Sequence, residues 1–481
     1  MQRFMHYING QWCPPASGDF LPVVEPATGQ VYAEVAAGTA ADVEAAVQAA
    51  RAAFPAWASM PVRQRAHYLM RIAEGIEARL AMWAEAESRD TGKPLSLAQQ
   101  VDIPRAALNF EFFATAIMQM ASESYQTDTH AINYVLRQPL GVVACISPWN
   151  LPLYLFTWKI APALAAGNCV VAKPSELTPV TATLLAGLCQ EAGLPPGVLN
   201  IVHGVGTEVG EPMVLHPQVK AVSFTGGTRT GARIAELAAP RFKKLSLELG
   251  GKNPTIVFAD ADYEQALETS VRAAFRNQGE ICLCGSRVLI EASLYERFKK
   301  DFVERTQRLR IGDPLDPATD LGALISEAHR QKVLSYIDLA KEEGGTVLTG
   351  GVALQPAGRC ANGYFMAPTV IEGLDAHCRT NQEEIFGPVV TLIPFETEEE
   401  AVHLANATPY GLSASVWTQN LARAHRVAAA IEAGIVWVNS WMLRDLRTPF
   451  GGMKASGVGR EGGFDALRFF TEPKNVCIRY E

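Results

Sequence analysis

The stretch from Leu247 to Arg287 opens with LELGGKNP (Leu247 to Pro254) and closes with FRNQGEICLCGSR (Phe275 to Arg287). The first piece carries Glu248 into a tight turn at Gly250 and Gly251. The second carries Cys282 on a loop that begins with Asn277, Gln278 and Gly279. A cysteine nucleophile needs help to ionise and a partner that moves protons or activates water. A carboxylate and a thiol on two turn-punctuated loops, with an amphipathic segment between them, meet that need. The spacing alone is weak evidence, because any long chain holds Glu and Cys pairs.

Outward from this stretch the chain alternates between two periods. Residues 1 to 38 are turn-rich and read as short strands. From Thr39 the apolar residues fall at helical spacing, and Asp90 to Gly92 closes that region with Gly92 as a C-cap. Val101 to Ile117 is a further helix, with Asp102 as its N-cap and Pro104 in its first turn. TDTHAINYVLRQPLG alternates and reads as a hairpin-like excursion. Then strands and helices alternate: GVVACI, LFTWKIAPALAAG, NCVVAK, TPVTATLLAGLCQEAG, VLNIVHG and KAVSFTGG. Such alternation implies a parallel sheet covered on both faces, which binds ligands outside the carboxyl ends of its strands. The polar loops Ser147 to Asn150, Lys173 to Glu176 and Thr225 to Gly231 follow such strands. After Cys282 the pattern repeats as a second α/β unit. TEPKNVCIRYE is an alternating terminal strand, an exposed edge unless it is paired, so oligomerisation is expected.

With 481 residues, two or three domains are expected. An apolar fraction of 48% and a charged fraction of 19% are those of an ordinary globular enzyme. The formal charge of −8 argues against a nucleic-acid partner. The N-terminus has no apolar signal-like segment, and the most apolar run, Ile160 to Val171, is too short to span a bilayer. Nine cysteines, without tandem C-x-x-C pairs, fit a reducing cytoplasmic setting, with Cys145, Cys169 and Cys189 as core residues. No His/Cys/Asp pattern has metal-ligand spacing, so no metal is expected.

Two glycine-rich segments, HGVGTEVG with Gly206 and Gly210, and FTGGTRTG with Phe224, Thr225, Gly226 and Gly227, are each either a plain turn or a phosphate loop. Gly226 and Gly227 stand between an apolar strand and a helix, where backbone N–H groups favour a phosphate.

The wording of the two opening pieces resembles the aldehyde dehydrogenase superfamily, and the resemblance covers essentially the whole chain. In that family ELGGK carries the general-base glutamate, here Glu248, and NQGxxC carries the nucleophile, here Cys282. The resemblance implies an α/β, aldehyde dehydrogenase-like fold. Its parts would be a Rossmann-type NAD domain (1–120 and 140–248), an α/β catalytic domain (249–464) and a small β oligomerisation arm (121–139 and 465–481). It implies NAD as cofactor and a homodimer or homotetramer. Asn150, in Pro148-Trp149-Asn150, would stabilise the oxyanion together with the Cys282 backbone N–H. Ile146, Ser147, Pro148, Trp149, Leu249 and Gly250 would line the NAD site. Lys173 and Glu176 would hold the adenosine ribose, a carboxylate that favours NAD over NADP. In EEIFGPV, Glu384 would hold the nicotinamide ribose and Phe386 would pack near the ring. Gly227 stands where the family has a serine, which would leave only backbone donors on the pyrophosphate. Cys284 would be a buried neighbour, or one half of a C-x-C disulfide. The implied chemistry is thiolate attack on an aldehyde, hydride loss to leave a thioester, and hydrolysis by water activated at Glu248.

Within the superfamily, VDIPRAALNFEFFA, NQGEICLCGSR and NSWMLRDLRTPFGG are most similar to hydroxymuconic and aminomuconic semialdehyde dehydrogenases. Arg105 and Arg444 would then grip the carboxylate of an acid semialdehyde, with Phe450 beside them, since a guanidinium binds a carboxylate through two parallel hydrogen bonds. Read as surface residues instead, Arg444 has Asp445 beside it and Arg447 close by. Glu111 stands where an aromatic or basic residue is expected next to the clamp. The competing readings are a broad or betaine-type aldehyde dehydrogenase, with an aromatic box in place of the arginines, and a catalytically silent structural protein of the same fold.

Overall fold

The parallel sheet expected after Gly141 forms, and it frames the site. In the computed structural model, which describes residues 1–480, five parallel strands lie in the spatial order Lys244–Glu248, Val219–Thr225, Val142–Ile146, Cys169–Lys173, Leu199–Ile201. Antiparallel edges extend it to eight strands: Gly457–Val458 on one side, His6–Ile8 and Gln11–Cys13 on the other. Val142–Ile146 and Cys169–Lys173 are buried at every residue, which is why they read as unbroken apolar runs rather than as an alternation. The order reverses between Val142–Ile146 and Val219–Thr225. Loops leaving the carboxyl ends of two strands on either side of such a reversal splay apart and leave a crevice. Those loops are Ser147–Asn150 and Gly226–Gly227.

A second sheet of seven strands carries the other half of the chain. Its order is Thr346–Thr349, Thr369–Glu372, Val389–Phe395, Arg287–Glu291, Pro254–Val257, Ser413–Trp417, Ile435–Val438, parallel except at the first pair. The amphipathic segment between Glu248 and Cys282 is the helix Tyr263–Phe275. Asp262 caps it by accepting from the Gln265 N–H, and its face Ala266, Leu267, Val271, Ala274 and Phe275 packs with Phe298 and Phe302. The hairpin Ser124–Thr127 and Ala131–Pro139 pairs along its length with the terminal strand Thr471–Arg479. The helix Gly463–Phe469 precedes that strand, and its Ala466 and Leu467 join the core of the first sheet. Glu481, at the end of the expected arm, lies outside the described residues.

Thr39 caps its helix through a reciprocal pair with Asp42, and Gly92 adopts the left-handed C-cap conformation at φ 78°. Asp102, expected as an N-cap, is not one. Its backbone is helical, because a wide turn over Ala98–Asp102 leads into the helix Ile103–Ile117, and its side chain is taken by Lys93. A partner nine residues upstream outcompetes the local capping bond that sequence spacing can see.

Candidate active site

Two connected cavities open at the strand-order reversal. The outer one, about 670 Å³, is lined by Ile146, Ser147, Lys173, Glu176, Gly206, Gly210 and Phe224. The inner one, about 260 Å³, is lined by Asn150, Leu249, Gly250, Cys282, Glu384 and Phe386. Pro148, Trp149, Thr225, Gly226 and Gly227 line both. The expected cofactor residues are thus brought into one cleft that runs to the thiol.

The nucleophile loop is built from unusual backbone. After Phe275 the chain turns through Asn277 (φ 53°), Gln278 (φ 55°) and Gly279 (φ 74°). A Cβ on Gly279 would lie 2.1 Å from the Gly387 carbonyl oxygen, so the left-handed turn and the close approach both demand glycine. The turn lifts Cys282 away from the helix and sets it against Asn150, whose side-chain amide donates to the Glu280 carbonyl at 2.8 Å. One of the two amide hydrogens is thereby used. Asn253 donates to the Cys282 carbonyl at 2.7 Å and fixes the loop from below. Cys282 keeps part of its surface open to the cleft, while Cys284 is buried, and all nine cysteines are free thiols.

Glu248 ends the strand Lys244–Glu248, held in register by Thr225 and Gly457 on either side. It is 3% exposed, and neither carboxylate oxygen has a hydrogen-bond partner. Burial, and then the neighbouring Glu461 carboxylate, push it well above the usual carboxylate range, against Lys159, Arg444 and Arg460. Burial also pushes the Cys282 thiol up, reinforced by Glu248 and Glu384. The resting site therefore holds a neutral thiol beside a carboxyl that bonds to nothing. Such a pair can exchange a proton through a water or with an incoming substrate.

Glu384 accepts from the Gly251 N–H at 2.9 Å, and a Cβ on Gly250 would lie 2.5 Å from Glu384 Oε2. Lys173 Nζ and Glu176 Oε2 are 3.0 Å apart at the far end. Ser175 does not cap the next helix, which starts at Val180; its hydroxyl accepts from the Leu177 N–H within the loop. A dinucleotide fits this cleft on the donors present. The helix Thr228–Ala238 starts at Gly227, and the buried hydroxyls of Ser147 and Thr225 have no partner within the protein. Hydroxyl donors therefore remain in the cleft even though Gly227 lacks one.

Arg105 and Arg444, far apart in sequence, meet over one helix. Their guanidiniums lie 5.3 and 5.7 Å from the Trp158 ring, and Arg105 also lies 5.3 Å from that of Tyr154. Arg444 donates to the Tyr154 hydroxyl at 3.2 Å and stacks 3.9 Å over Phe450. Arg105 Nε donates to Asn109, but its buried Nη2 has no acceptor. Asp445 is committed to Arg447, which leaves Arg444 free of it. Tyr154 and Phe450 share an apolar cluster with Leu151 and Trp441, against which Cys282 packs. Glu111 is exposed and, among the described residues, makes no side-chain hydrogen bond or ion pair with either arginine.

Several participants were not picked out from sequence. His329 and Lys332 line the inner cavity from the helix Glu327–Glu342. A ring N–H of His329 donates to the Phe386 carbonyl at 2.6 Å, and its ring meets Trp149 edge-on; burial pushes it down to about 4. Lys159, Ser223 and Glu461 form a buried network beside Glu248, with Lys159 Nζ 2.6 Å from Glu461 Oε1. Tyr154 and Trp158, four residues apart on one helix face, were the legible signal for a ring-lined wall. Among the described residues, no group of three or more His, Cys, Asp and Glu could hold a metal ion, and no helix is long and apolar enough to cross a membrane.

A reactive-site thiol, an unpartnered buried carboxyl and a dinucleotide-sized cleft at a strand-order reversal together make an oxidoreductase site of the cysteine-dependent kind. Residues 12–476 match the aldehyde dehydrogenase family, and the chain belongs to that family. It is 51% identical to the 2-aminomuconic semialdehyde dehydrogenase of Bos taurus over 478 residues, 99% of this chain and 98% of that one. It is 50% identical to the 2-hydroxymuconic semialdehyde dehydrogenase of Pseudomonas sp. (strain CF600), over all of both chains. The crystal structure of betaine aldehyde dehydrogenase from Staphylococcus aureus in complex with NAD⁺ superposes with a TM-score of 0.96 at 38% identity, covering 98% of this chain and 94% of that one.

Proposed function

We propose that this enzyme oxidises a carboxylated semialdehyde of the 2-hydroxymuconic or 2-aminomuconic type to the dicarboxylic acid, with NAD as cofactor. The observation that carries the substrate class is the convergence of Arg105 and Arg444 on Tyr154, Trp158 and Phe450, two of which, Tyr154 and Phe450, belong to the apolar cluster against which Cys282 packs. A buried guanidinium Nη2 without an acceptor is an unfilled half of a carboxylate clamp. An aromatic box without cations would suit a neutral or quaternary aldehyde instead.

Cys282 attacks the aldehyde carbon as its thiol proton leaves toward Glu248 or water. The oxygen that becomes negative is met by the free N–H of the Asn150 amide and by the Cys282 backbone N–H; losing one such donor costs about 2.7–4 kcal/mol. NAD, when bound, supplies the two-electron acceptor that lets the adduct become a thioester. Lys173 and Glu176 would hold its adenosine ribose, Ser147, Thr225 and the N-terminus at Gly227 its phosphates, and Glu384 its second ribose. Once any proton it took from the thiol has passed to solvent, Glu248 takes a proton from water, which adds to the thioester carbon and releases the acid and the thiol. The arm strands 124–127, 131–139 and 471–479, with exposed Ile132, Leu136 and Ile478, support pairing with further copies of the chain. Nine unpaired thiols support a cytoplasmic setting.

The test is a substrate panel read by NADH absorbance, with 2-hydroxymuconic and 2-aminomuconic semialdehydes beside betaine aldehyde and hexanal. Higher kcat/KM for the two acid semialdehydes is expected. Equal or better turnover of the neutral or cationic aldehydes rejects the clamp.

A further inference from the structure

A charged cluster that the chemistry above does not use lies beneath the loop carrying Asn150. Lys93 and Asp102 are both fully buried, and Lys93 Nζ pairs with Asp102 Oδ2. The same ammonium donates to the backbone carbonyl of Asn150 at 2.8 Å. Asn277 Nδ2 reaches that carbonyl at 3.3 Å and the Glu280 carbonyl at 3.2 Å. Glu87, also buried, accepts from the Leu153 N–H at 3.3 Å and from the Thr181 hydroxyl at 2.7 Å. The Asn150 loop is thus held at its backbone from below, while its side-chain amide is held from the nucleophile loop.

The local sequence makes Lys93 rigid. Gly92 turns the chain back in the left-handed conformation. Then the Lys93 N–H donates to the Thr91 hydroxyl at 3.3 Å, and its carbonyl accepts from Ser88 at 2.7 Å. Stability alone does not account for the pair. Asp102 Oδ1 has no partner, and a well-packed apolar pair of similar volume commonly holds a core as well as a buried ion pair or better. An apolar pair could not, however, donate to the Asn150 carbonyl.

We propose that Lys93, oriented by Asp102, is a positioning residue for Asn150: it fixes the loop so that the Asn150 amide meets the developing oxyanion on the Cys282 adduct. This rests on the assignment of Asn150 made under the proposed function. Neither Lys93 nor Asp102 touches substrate or cofactor in this account, so their removal acts on the acylation step through Asn150 alone.

The experiment compares Lys93→Met/Asp102→Leu, Asn150→Ala, the combination of all three substitutions, and Asp102→Asn, each as the full-length enzyme with NAD. Readouts are the pre-steady-state NADH burst rate, the steady-state deacylation-limited rate, KM and the thermal midpoint. Removing an oxyanion donor outright lowers rates by about 10²–10³-fold; misplacing it should lower the burst rate by roughly 10–100-fold. The double variant is expected to keep the parental thermal midpoint and KM while its burst slows by that amount. Adding Asn150→Ala to it should slow the burst little beyond Asn150→Ala alone, because both act on one interaction. Asp102→Asn keeps an oxygen acceptor for Lys93 and should stay within about threefold of the parent. A parental burst rate in the double variant, with Asn150→Ala slow, overturns the positioning role and leaves the oxyanion assignment standing. A parental burst rate in Asn150→Ala overturns both. If the double variant does not fold, Lys93→Met alone decides: a slowed burst with a parental KM is expected, and a parental burst rate in the folded variant overturns the positioning role.

Discussion

Replacing Arg105 by Met should separate two kinds of aldehyde. Arg105 is held over Tyr154 and Trp158 with Nε on Asn109 and a buried Nη2 that bonds to nothing. A substrate carboxylate would complete it with a charge-assisted bond, worth about 1.5–3 kcal/mol. At about 1.36 kcal/mol per tenfold, that is roughly 10- to 150-fold in kcat/KM. The upper half of the range applies, because the guanidinium is largely enclosed and solvent screens it little. Arg444 already donates to the Tyr154 hydroxyl and stacks on Phe450, so Arg444→Ala belongs in the lower half. Folding stability should move by less than about 1 kcal/mol, since losing two cation–π contacts offsets relief of an unpaired buried donor. The assay is kcat/KM, read by NADH absorbance, for 2-hydroxymuconic semialdehyde and for hexanal in parent and variant. A loss confined to the acid semialdehyde is expected. Equal losses for both aldehydes would refute the clamp, because a general packing defect does not distinguish substrate charge.

Other outcomes follow from the same site. Glu248→Gln should leave an NADH burst but slow deacylation by roughly 10²-fold or more, with acyl-enzyme visible by mass spectrometry; an unchanged steady-state rate would contradict the base assignment. Glu248 and Cys282 are both pushed up by burial and by neighbouring carboxylates, and each must lose a proton to act. Activity should therefore rise as pH rises, and Glu461→Gln, which removes a charge that helps raise Glu248, should move that rise to lower pH in a rate–pH profile. Gly227→Ser should be tolerated, because a Cβ there meets nothing within 4 Å and φ is −68°. One added hydroxyl donor should lower KM for NAD by about two- to tenfold. Gly250→Ala should raise KM for NAD instead, since its Cβ would displace Glu384, and fluorescence titration with NADH would measure both glycine variants.

Much of the frame was legible in the sequence, for reasons that differ by element. Val142–Ile146 and Cys169–Lys173 read as buried strands because a parallel strand covered on both faces must be apolar throughout. Asn277, Gln278 and Gly279 read as the opening of a loop, but that all three take left-handed backbone was visible only in the structure. The pair Gly226-Gly227 could be placed between a strand and a helix, but not chosen over the Gly206–Gly210 segment as the phosphate end. The structure shows that both line one cleft, the second as a wide helical turn. Asp102 was misjudged as a cap because local spacing cannot reveal a buried ammonium waiting elsewhere in the fold.

The sequence by itself determined the thiol, the carboxyl, the turns that present them and the alternation that builds two parallel sheets. These are local demands of backbone conformation and burial, and each is written within a few residues. Only the tertiary structure decided which charges meet. Among 42 basic and 50 acidic side chains, nothing in spacing joins Arg105 to Arg444, Lys159 to Glu461, or Lys93 to the carbonyl of Asn150. Those pairings depend on how helices pack against the sheet, where burial removes water and leaves each charged group only the partner that packing brings within reach.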